Sequence, residues 1–299
     1  MIKDFKSIDD DLKHRVFLDY KKTRKISSLK EMYPSIDYNV LYSIIYSTGQ
    51  FKKELKKQIH QIELNDKMII LISDTHDGAR SENQFYKYQV FDFAVDKGVK
   101  TILHGGDFIQ SYKRSYMNFI KEKDSLKQAE CFVDYYPFEP NIMTYGIYGN
   151  HDHYAIEHDK KVRAILESRE DIQVLGFKKA FILWNGYVIS LQHEIDDFCL
   201  KLPVDIDFLS FGGHSHYYHI RKKQGMKCER IYMPAMCDFI PDPSMKMSKK
   251  SGIKTAPGFL TSEFFGDYIL TTYYTFKNGT IVRENECIKE TKTKKLIIK

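Results

Sequence analysis

The spacing of apolar and polar residues changes near residue 65. Before that point, apolar side chains recur every three or four residues, which predicts helices. Three short helices are expected there, around Leu12–Tyr20, Ile26–Tyr33 and Val40–Ile45. After that point, short apolar runs alternate with helical stretches, which predicts an α/β architecture. We therefore expect a helical domain over residues 1–64 and an α/β domain over residues 65–299.

The second part contains several apolar runs of strand length, each followed by glycine or polar residues. They predict strands at residues 68–73, 100–104, 142–148 and 207–211. Two further pairs of runs flank Asn185-Gly186 and Asn278-Gly279, and this dipeptide between strands predicts β-hairpins. Amphipathic stretches predict helices at residues 85–97, 115–135 and 158–168.

In the first part, two helices joined by a tight turn follow a preceding helix, which is the helix-turn-helix arrangement of DNA-binding domains. A basic stretch without acidic residues is a candidate for phosphate contacts, and the start of the third helix supplies exposed polar side chains. The candidate DNA-binding residues are Lys21, Lys22, Arg24, Lys25, Tyr38, Asn39 and Tyr42. Asp37 would repel a phosphate, and a packing or oligomerisation domain is the alternative interpretation.

Charge and cysteine content narrow the class of protein only slightly. The formal net charge of +6 permits binding to a polyanion but does not demand it. The number of cysteines is five, and no pair has the CxxC spacing, which argues against a disulfide scaffold or a thiolate zinc site. We find no apolar run of membrane-spanning length and no secretory core. A cytoplasmic location is expected, or the host cytoplasm if the gene is viral, and the oligomeric state stays open.

Chemically active side chains stand just past the ends of successive predicted strands, where α/β sheets place their sites. In chain order they are Asp74, His76, Asp107, Asn150, His151, His193, His214 and His216. Residues i and i+2 of an extended chain point the same way, so Asp-x-His and His-x-His offer paired ligands. Asp107 is the natural bridge, because one carboxylate offers an oxygen to each of two ions.

The ligand types are carboxylate, imidazole and amide oxygen, without thiolate. This set suits two divalent metal ions, with Mn²⁺ as the first expectation and Fe, Zn²⁺ or Ni²⁺ as alternatives. Taken singly, each piece has an ordinary interpretation: Asp-x-His is usually a turn, and His193 alone is most often a hydrogen-bonding histidine. The combination is more specific, because pieces at separate strand ends converge only if they share a site.

These ordered pieces resemble the signature of the calcineurin-like metallophosphoesterases: Asp74-Thr75-His76, Gly106-Asp107, Gly149-Asn150-His151-Asp152, His193 and Gly213-His214-Ser215-His216. The resemblance covers residues 68 to about 285. It implies an α/β fold in which a two-layered β-sandwich is flanked by helices. The small helical, helix-turn-helix-like domain would precede it.

The resemblance also implies residue roles. One ion would be held by Asp74, His76, Asp107 and His216, and the other by Asp107, Asn150, His193 and His214. His151 would donate a proton to the leaving group, and Asp152 would orient His151 through a hydrogen bond. The implied reaction is attack of a metal-bound hydroxide on a phosphate ester.

Three functions remain open at this point. The first is a DNA nuclease or DNA-processing enzyme, with the helical domain bringing the site to DNA. The second is a phosphatase or phosphodiesterase acting on a nucleotide or a phosphoprotein. The third is a DNA-binding regulator, against which the complete ligand set argues. Arg221, shortly after the last motif, is a further candidate for contacting a phosphate.

Overall fold

The computed structural model describes residues 7–23, 26–47, 59–194, 208–222, 228–238 and 256–290. Its N-terminal part contains three helices, α1 (Asp10–Thr23), α2 (Ile26–Met32) and α3 (Tyr38–Ser47). Their apolar faces form a core of their own, which includes Val16, Leu29, Ile36, Leu41 and Ile44. The three predicted helices are confirmed.

Thirteen strands are defined among the described residues, and they form two mixed sheets. The strands are β1 (Ile59–Leu64), β2 (Met68–Ile72), β3 (Thr101–His104), β4 (Met143–Tyr148), β5 (Ile172–Phe177), β6 (Lys179–Trp184), β7 (Tyr187–Gln192), β8 (Phe208–Gly212), β9 (His219–Lys222), β10 (Cys228–Tyr232), β11 (Gly258–Phe264), β12 (Tyr268–Lys277) and β13 (Thr280–Glu290). One sheet has the order β13-β12-β11-β2-β3-β4-β5, and the other has the order β1-β6-β7-β8-β10-β9. The predicted two-layered arrangement is present.

The seven-stranded sheet is apolar on both faces, which explains why β2 is continuously apolar in sequence. Ile69 and Leu71 belong to a core shared with β6, β7 and β8 of the other sheet. Ile70 and Ile72 point to the opposite face and belong to a second core with the helices. Burial on both faces fixes the register of β2, and therefore the place where Asp74 leaves the sheet.

The helices of this part are α4 (Gln84–Lys97), α5 (Ser125–Tyr135), α6 (Asn150–His158) and α7 (Lys161–Leu166), with a 3₁₀ helix at Arg114–Phe119. The predicted helix over residues 85–97 is confirmed. It starts at Asn83, whose side chain accepts a hydrogen bond from Phe85 N, and it stops at Gly98 in the left-handed conformation.

Two predicted helices have different boundaries. The single helix over residues 115–135 is wrong: Ile120 forms an extended bridge with Ala79, and the Asp124 side chain then caps α5 by accepting a hydrogen bond from Leu126 N. The helix predicted from residue 158 starts instead directly after β4, at Asn150. Extended backbone at Asp159 ends α6, and the side chain of Asp159 accepts a hydrogen bond from Lys161 N at the start of α7.

Both predicted hairpins are present, β6–β7 and β12–β13. Asn185, Gly186, Asn278 and Gly279 have positive φ, as the tight turns of such hairpins require. β1 pairs in parallel with β6, so the six-stranded sheet includes residues that the predicted boundary assigns to the helical domain. Cys131, Cys237 and Cys287 form no disulfide bond. Among the helices described, none is long and apolar enough to cross a membrane.

Candidate metal centre

The predicted site residues lie at the carboxyl ends of strands that are neighbours in the two sheets. Asp74, Asp107 and Asn150 follow β2, β3 and β4, which are adjacent and parallel. His193 and His214 follow β7 and β8, which are adjacent and parallel in the other sheet. The two packed sheets therefore bring both sets of side chains to one edge.

On one side of the site, two histidines converge on Asp74. His76 Nε2 lies 3.0 Å from His216 Nε2, and His216 Nε2 lies 3.4 Å from Asp74 Oδ1. The backbone N–H of His214 donates to both carboxylate oxygens of Asp74, at 3.1 and 3.0 Å. Asp74 is therefore held by the same loop that supplies His216.

On the other side, Asp107, Asn150 and two histidines converge. His193 Nε2 lies 3.1 Å from Asp107 Oδ2 and 2.8 Å from Asn150 Oδ1. His214 Nδ1 lies 2.9 Å from the same Asn150 oxygen. Asp107 Oδ2 is also 3.8 Å from His76 Nε2, so this carboxylate reaches both sides, as a bridging ligand must.

The backbone at this edge is bent into a conformation that non-glycine residues rarely adopt. Positive φ angles occur at five of the predicted ligands, namely Asp74, His76, Asp107, His214 and His216. Each costs on the order of 1 kcal/mol or more and persists only where surrounding contacts fix it. Such strain clusters at functional sites, and here it aims side chains from separate loops at a common point.

Close backbone contact with the ligands requires glycine at two positions. A Cβ at Gly149 would collide with the Asp107 carboxylate, and one at Gly213 would collide with Ser73 Oγ and approach Asp74. The glycines of the sequence motifs therefore make room for the ligands themselves.

His151 stands at the start of α6, next to the candidate ligands. Its ring lies edge-on to that of His76, with centroids 4.9 Å apart. Its Nδ1 lies 2.5 Å from the backbone carbonyl oxygen of Gln110, so Nδ1 carries a proton and donates it to this carbonyl. Gln110 thus fixes the ring orientation and leaves Nε2 for chemistry.

Asp152 has a role different from the implied one. Its carboxylate accepts hydrogen bonds from three backbone N–H groups, those of Phe108, Ile109 and Gly149. The expectation that it orients His151 through a hydrogen bond is corrected by these contacts. Asp152 is fully buried and instead joins the loop after β3 to the loop after β4. Because Asp107 and Asn150 leave from those loops, Asp152 sets the spacing between two candidate ligands.

Electrostatics within the site favour the charged form of Asp107 and raise the pKa of two histidines, His193 and His216. Burial raises the pKa of Asp107, but the surrounding histidines, His151 first, bring it well below its usual range. Burial alone lowers the pKa of His193, yet the Asp107 and Asp74 carboxylates and the Gly105 carbonyl together outweigh it and raise the pKa to about 10. The pKa of His216 is raised against burial by the Asp74 and Asp107 carboxylates. Burial lowers the pKa of His76 to about 3, so that ring is neutral. A divalent ion bound at His193 would displace its proton.

The residues present fit two divalent ions. Ligand atoms of Asp74, His76 and His216 lie within 4.8 Å of one another, and so do those of Asp107, His193 and His214. A third group of this kind contains His76, Asp107 and His151, and it shares His76 with the first group and Asp107 with the second. Carboxylate, imidazole and amide donors without thiolate suit ions such as Mn²⁺, Fe or Zn²⁺. Asn150 Oδ1 adds the amide ligand predicted from the sequence.

The structure brings together all seven predicted metal ligands and His151, but it gives the candidate DNA-binding residues no comparable site. Lys22 Nζ lies 3.3 Å from Asp19 Oδ1, and Tyr38 is 44% exposed at the start of α3. Arg24 and Lys25 lie outside the described residues. The same holds for the side chains of Lys21, Asn39 and Tyr42.

Sequence reasoning missed two contributors. Gln110 acts through its backbone carbonyl, and a backbone contact of this kind cannot be predicted from the type of residue. Glu194 directly follows His193, and its carboxylate lies 3.8 Å from His214 Nε2. An acidic residue next to a motif histidine was a signal that could have been used for Glu194.

Two packed mixed sheets with helices, carrying a partly buried Asp-His-Asn centre at their carboxyl edge, define a metallophosphoesterase-type α/β protein. The model of the calcineurin-like phosphoesterase superfamily domain matches residues 68–231. The chain therefore belongs to this superfamily. A comparison with curated proteins gave no match.

Solved structures of the same general fold are similar at low identity. An archaeal phosphodiesterase is 15% identical, covering 74% of this chain and 99% of that one, with a TM-score of 0.40. Zinc-complexed Vps29 from Entamoeba histolytica is 16% identical, covering 75% and 99%, with a TM-score of 0.41. GAP50 of Plasmodium, an anchor in the inner membrane complex, is 13% identical, covering 76% and 90%, with a TM-score of 0.45. These values are too low to transfer an activity.

Proposed function

We propose that the protein is a dinuclear-metal-dependent phosphoesterase that hydrolyses phosphodiesters, with DNA as its substrate. The observation that carries the proposal is the position of Asp107, whose Oδ2 lies 3.1 Å from His193 Nε2 and 3.8 Å from His76 Nε2. One carboxylate between two sets of donors is the arrangement that a pair of ions requires. When bound, two divalent ions activate a water molecule and neutralise charge on the phosphoryl oxygens.

The residues of the chain have separate roles in the proposed reaction. Asp74, His76 and His216 would hold one ion, and Asn150, His193 and His214 would hold the other, with Asp107 shared between them. His151 keeps Nδ1–H on the Gln110 carbonyl, so a proton delivered to the leaving oxygen comes from Nε2 of the imidazolium. Asp152 keeps the two loops together while the substrate binds.

DNA as the substrate is supported by the helical N-terminal part. α2 and α3 are two short helices joined by a five-residue connection, residues 33–37, and α1 packs with them in one small core. This is the order of elements in helix-turn-helix domains. Lys21 and Lys22 belong to the last turn of α1, and Arg24 and Lys25 follow in the sequence, so this basic run is the candidate contact to a phosphate backbone.

A second candidate is a phosphatase or phosphodiesterase that acts on a nucleotide or a phosphoprotein. It is favoured by contacts that two lysines of the helical part make with other residues of the chain. Lys22 pairs with Asp19, and Lys30 Nζ donates to the carbonyls of Pro34 and Ile36, at 2.8 and 2.6 Å. These contacts reduce the positive charge available to DNA, and the helices would then serve as an interaction domain.

The test compares two substrates in Mn²⁺, DNA (single- and double-stranded) and bis(p-nitrophenyl) phosphate. We expect His151→Ala to abolish hydrolysis of both, while His158→Ala, a change at an exposed histidine of the same helix, leaves both unchanged. Replacing Lys21, Lys22, Arg24 and Lys25 by glutamine should weaken DNA cleavage alone and reduce its salt dependence. Hydrolysis of the aryl ester without DNA cleavage at low salt would reject the nuclease and favour the second candidate.

A further inference from the structure

The strand pair β9–β10 and the residue before it carry a cluster of aromatic and basic side chains. The cluster begins at the residue that follows the candidate ligand His216. Tyr217 directly follows the candidate ligand His216, and β9 begins two residues later. β10 is antiparallel to β9, with His219 opposite Tyr232 and Arg221 opposite Arg230. We call the surface formed by Tyr217, His219, Arg221, Arg230 and Tyr232 the β9–β10 face.

The alternation of side chains along the two strands puts these five residues on one face. Tyr218, Ile220 and Ile231 pack in the core between the two sheets. Their neighbours in sequence therefore point to the opposite face. Within the described part of the chain β9 is an edge strand, so the face extends to the edge of the six-stranded sheet.

The aromatic rings of this face are arranged as a platform rather than buried as a core. The rings of Tyr217 and Tyr232 are nearly parallel, with an interplanar angle of 24° and centroids 6.3 Å apart. The His219 ring lies 5.9 Å from that of Tyr232. All three residues are partly exposed. Successive nucleobases stack on such rings independently of sequence, because every base has a π-face.

The charges of the face complement a phosphate backbone. Arg221 is exposed, and its guanidinium lies 5.5 Å from the centroid of the Tyr232 ring. Arg221 and Arg230 stand opposite each other on the two antiparallel strands, which places two guanidinium groups on the same face. Guanidinium groups hydrogen-bond phosphate oxygens in a bidentate manner. Among the described side chains of β9 and β10 the only carboxylate is Glu229, which alternates to the other face and accepts a hydrogen bond from Cys287.

We propose that the β9–β10 face binds the single-stranded DNA segment next to the phosphate in the metal centre, with bases on Tyr217 and Tyr232 and a phosphate on Arg221 and Arg230. This proposal rests on the proposed function and names the part of the substrate that the site reads. Tyr217 is covalently next to the candidate ligand His216, so the face begins beside the metal centre.

The experiment measures binding of a fluorescein-labelled 20-nucleotide oligothymidylate by anisotropy in Mn²⁺, with the full chain carrying His151→Ala so that no turnover occurs. Arg221→Gln should weaken binding at least about fivefold and lower the slope against log salt by about 0.7, the value for one lost phosphate contact on a single strand. Tyr232→Leu should weaken binding by a similar factor while the salt slope stays the same, because stacking releases no counterions.

The matched control is Arg283→Gln, the same change on β13, which is the edge strand of the other sheet. It should leave oligonucleotide affinity unchanged. Equal affinity of the Arg221→Gln and Arg283→Gln proteins, with unchanged melting temperatures, would overturn the proposal. The failure of the proposed function has a different signature, since the chain with His151 intact would then leave DNA uncleaved at low salt in Mn²⁺, whether or not it hydrolyses bis(p-nitrophenyl) phosphate.

Discussion

The backbone N–H of His151 donates a hydrogen bond to Asp107 Oδ1 at 2.9 Å. The other oxygen of the same carboxylate lies 3.1 Å from His193 Nε2. Asp107 therefore does two things at once: it reaches both sides of the candidate metal centre, and it fixes the start of the helix that presents His151. Any change at this carboxylate acts on metal binding and on the position of the proton donor together.

Asp107→Asn is expected to remove most of the bound metal and to lower phosphodiester hydrolysis at least about a hundredfold, because an amide is a weaker and uncharged bridge. Metal content after desalting and the rate with bis(p-nitrophenyl) phosphate are the measurements. Asp92→Asn, at an exposed position of α4, is the control and should retain both. Retention of two ions by the Asp107→Asn protein would contradict the bridging role.

Gly149→Ala tests the close contact between the two loops. The added methyl group would collide with the Asp107 carboxylate, and relieving the overlap should cost about 1–3 kcal/mol of unfolding free energy as well as activity. Gly98→Ala provides the comparison, because its Cβ would meet open space while its positive φ makes the change strained. Gly98→Ala should lower stability and leave activity intact, whereas Gly149→Ala should lower both. Full activity of the Gly149→Ala protein would show that the loops separate easily.

A buried ion pair supports the loop after β2. Lys87 Nζ lies 2.7 and 2.8 Å from the two oxygens of Asp77, and both residues are almost completely buried. Lys87→Met leaves a buried carboxylate without its cation and should destabilise the protein by about 3–5 kcal/mol. Denaturant unfolding measures the effect. Lys97→Met, at an exposed lysine of the same helix, should change stability little.

A double variant checks whether the unpaired charge causes the loss of stability in Lys87→Met. Asp77→Asn combined with Lys87→Met removes both charges, so the double variant should be more stable than Lys87→Met alone. If the double variant is instead as unstable as the sum of the single changes, the loss comes from packing and not from the unpaired carboxylate.

The helical domain should respond to acid through Asp19. The Tyr33 hydroxyl donates a hydrogen bond to Asp19 Oδ2 at 2.7 Å, which is the main reason why the pKa of Asp19 lies below its usual value of 3.8. A carboxyl group with a lowered pKa in the folded state stabilises the fold above its unfolded pKa, and that contribution disappears as the pH falls through the folded pKa. The stabilising contribution is therefore expected in full at neutral pH, should decline as the pH falls below about 3.8, and should be lost once the pH is below the folded pKa.

Hydrogen exchange of the α1 and α2 amides measures this effect. Tyr33→Phe should reduce protection at neutral pH, and the difference from the wild type should narrow as the pH falls from about 3.8 through the folded pKa of Asp19. Tyr38→Phe, at an exposed tyrosine of α3, is the control. A constant difference at every pH would mean that the Tyr33 hydroxyl stabilises the domain independently of the Asp19 charge.

The ligands of the metal centre could be predicted from residue type and spacing. Asp74, His76, Asp107, Asn150, His193, His214 and His216 were identified because each follows an apolar strand, and the carboxyl ends of neighbouring strands meet at one edge. The hairpins at Asn185-Gly186 and Asn278-Gly279 were equally local, since the turn demands positive φ at those positions. Such features depend on a few consecutive residues and can therefore be predicted from a single sequence.

Helix boundaries and the role of Asp152 were decided by contacts between distant residues. The helix predicted from residue 115 is interrupted because Ile120 pairs with Ala79, and no local signal reports that partner. Asp152 follows His151 in sequence, yet its carboxylate turns to the amides of Phe108 and Ile109 on another loop.

By itself the sequence determined that this chain has an α/β core with a two-ion ligand set, because ligand chemistry and strand periodicity are properties of residue types in order. Only the tertiary structure decided which oxygen of Asp107 faces which histidine, that a Gln110 carbonyl holds His151, and that Arg221 and Arg230 stand opposite each other. Those relationships depend on strand register and loop packing, which are fixed by burial across the whole molecule rather than by neighbours in the chain.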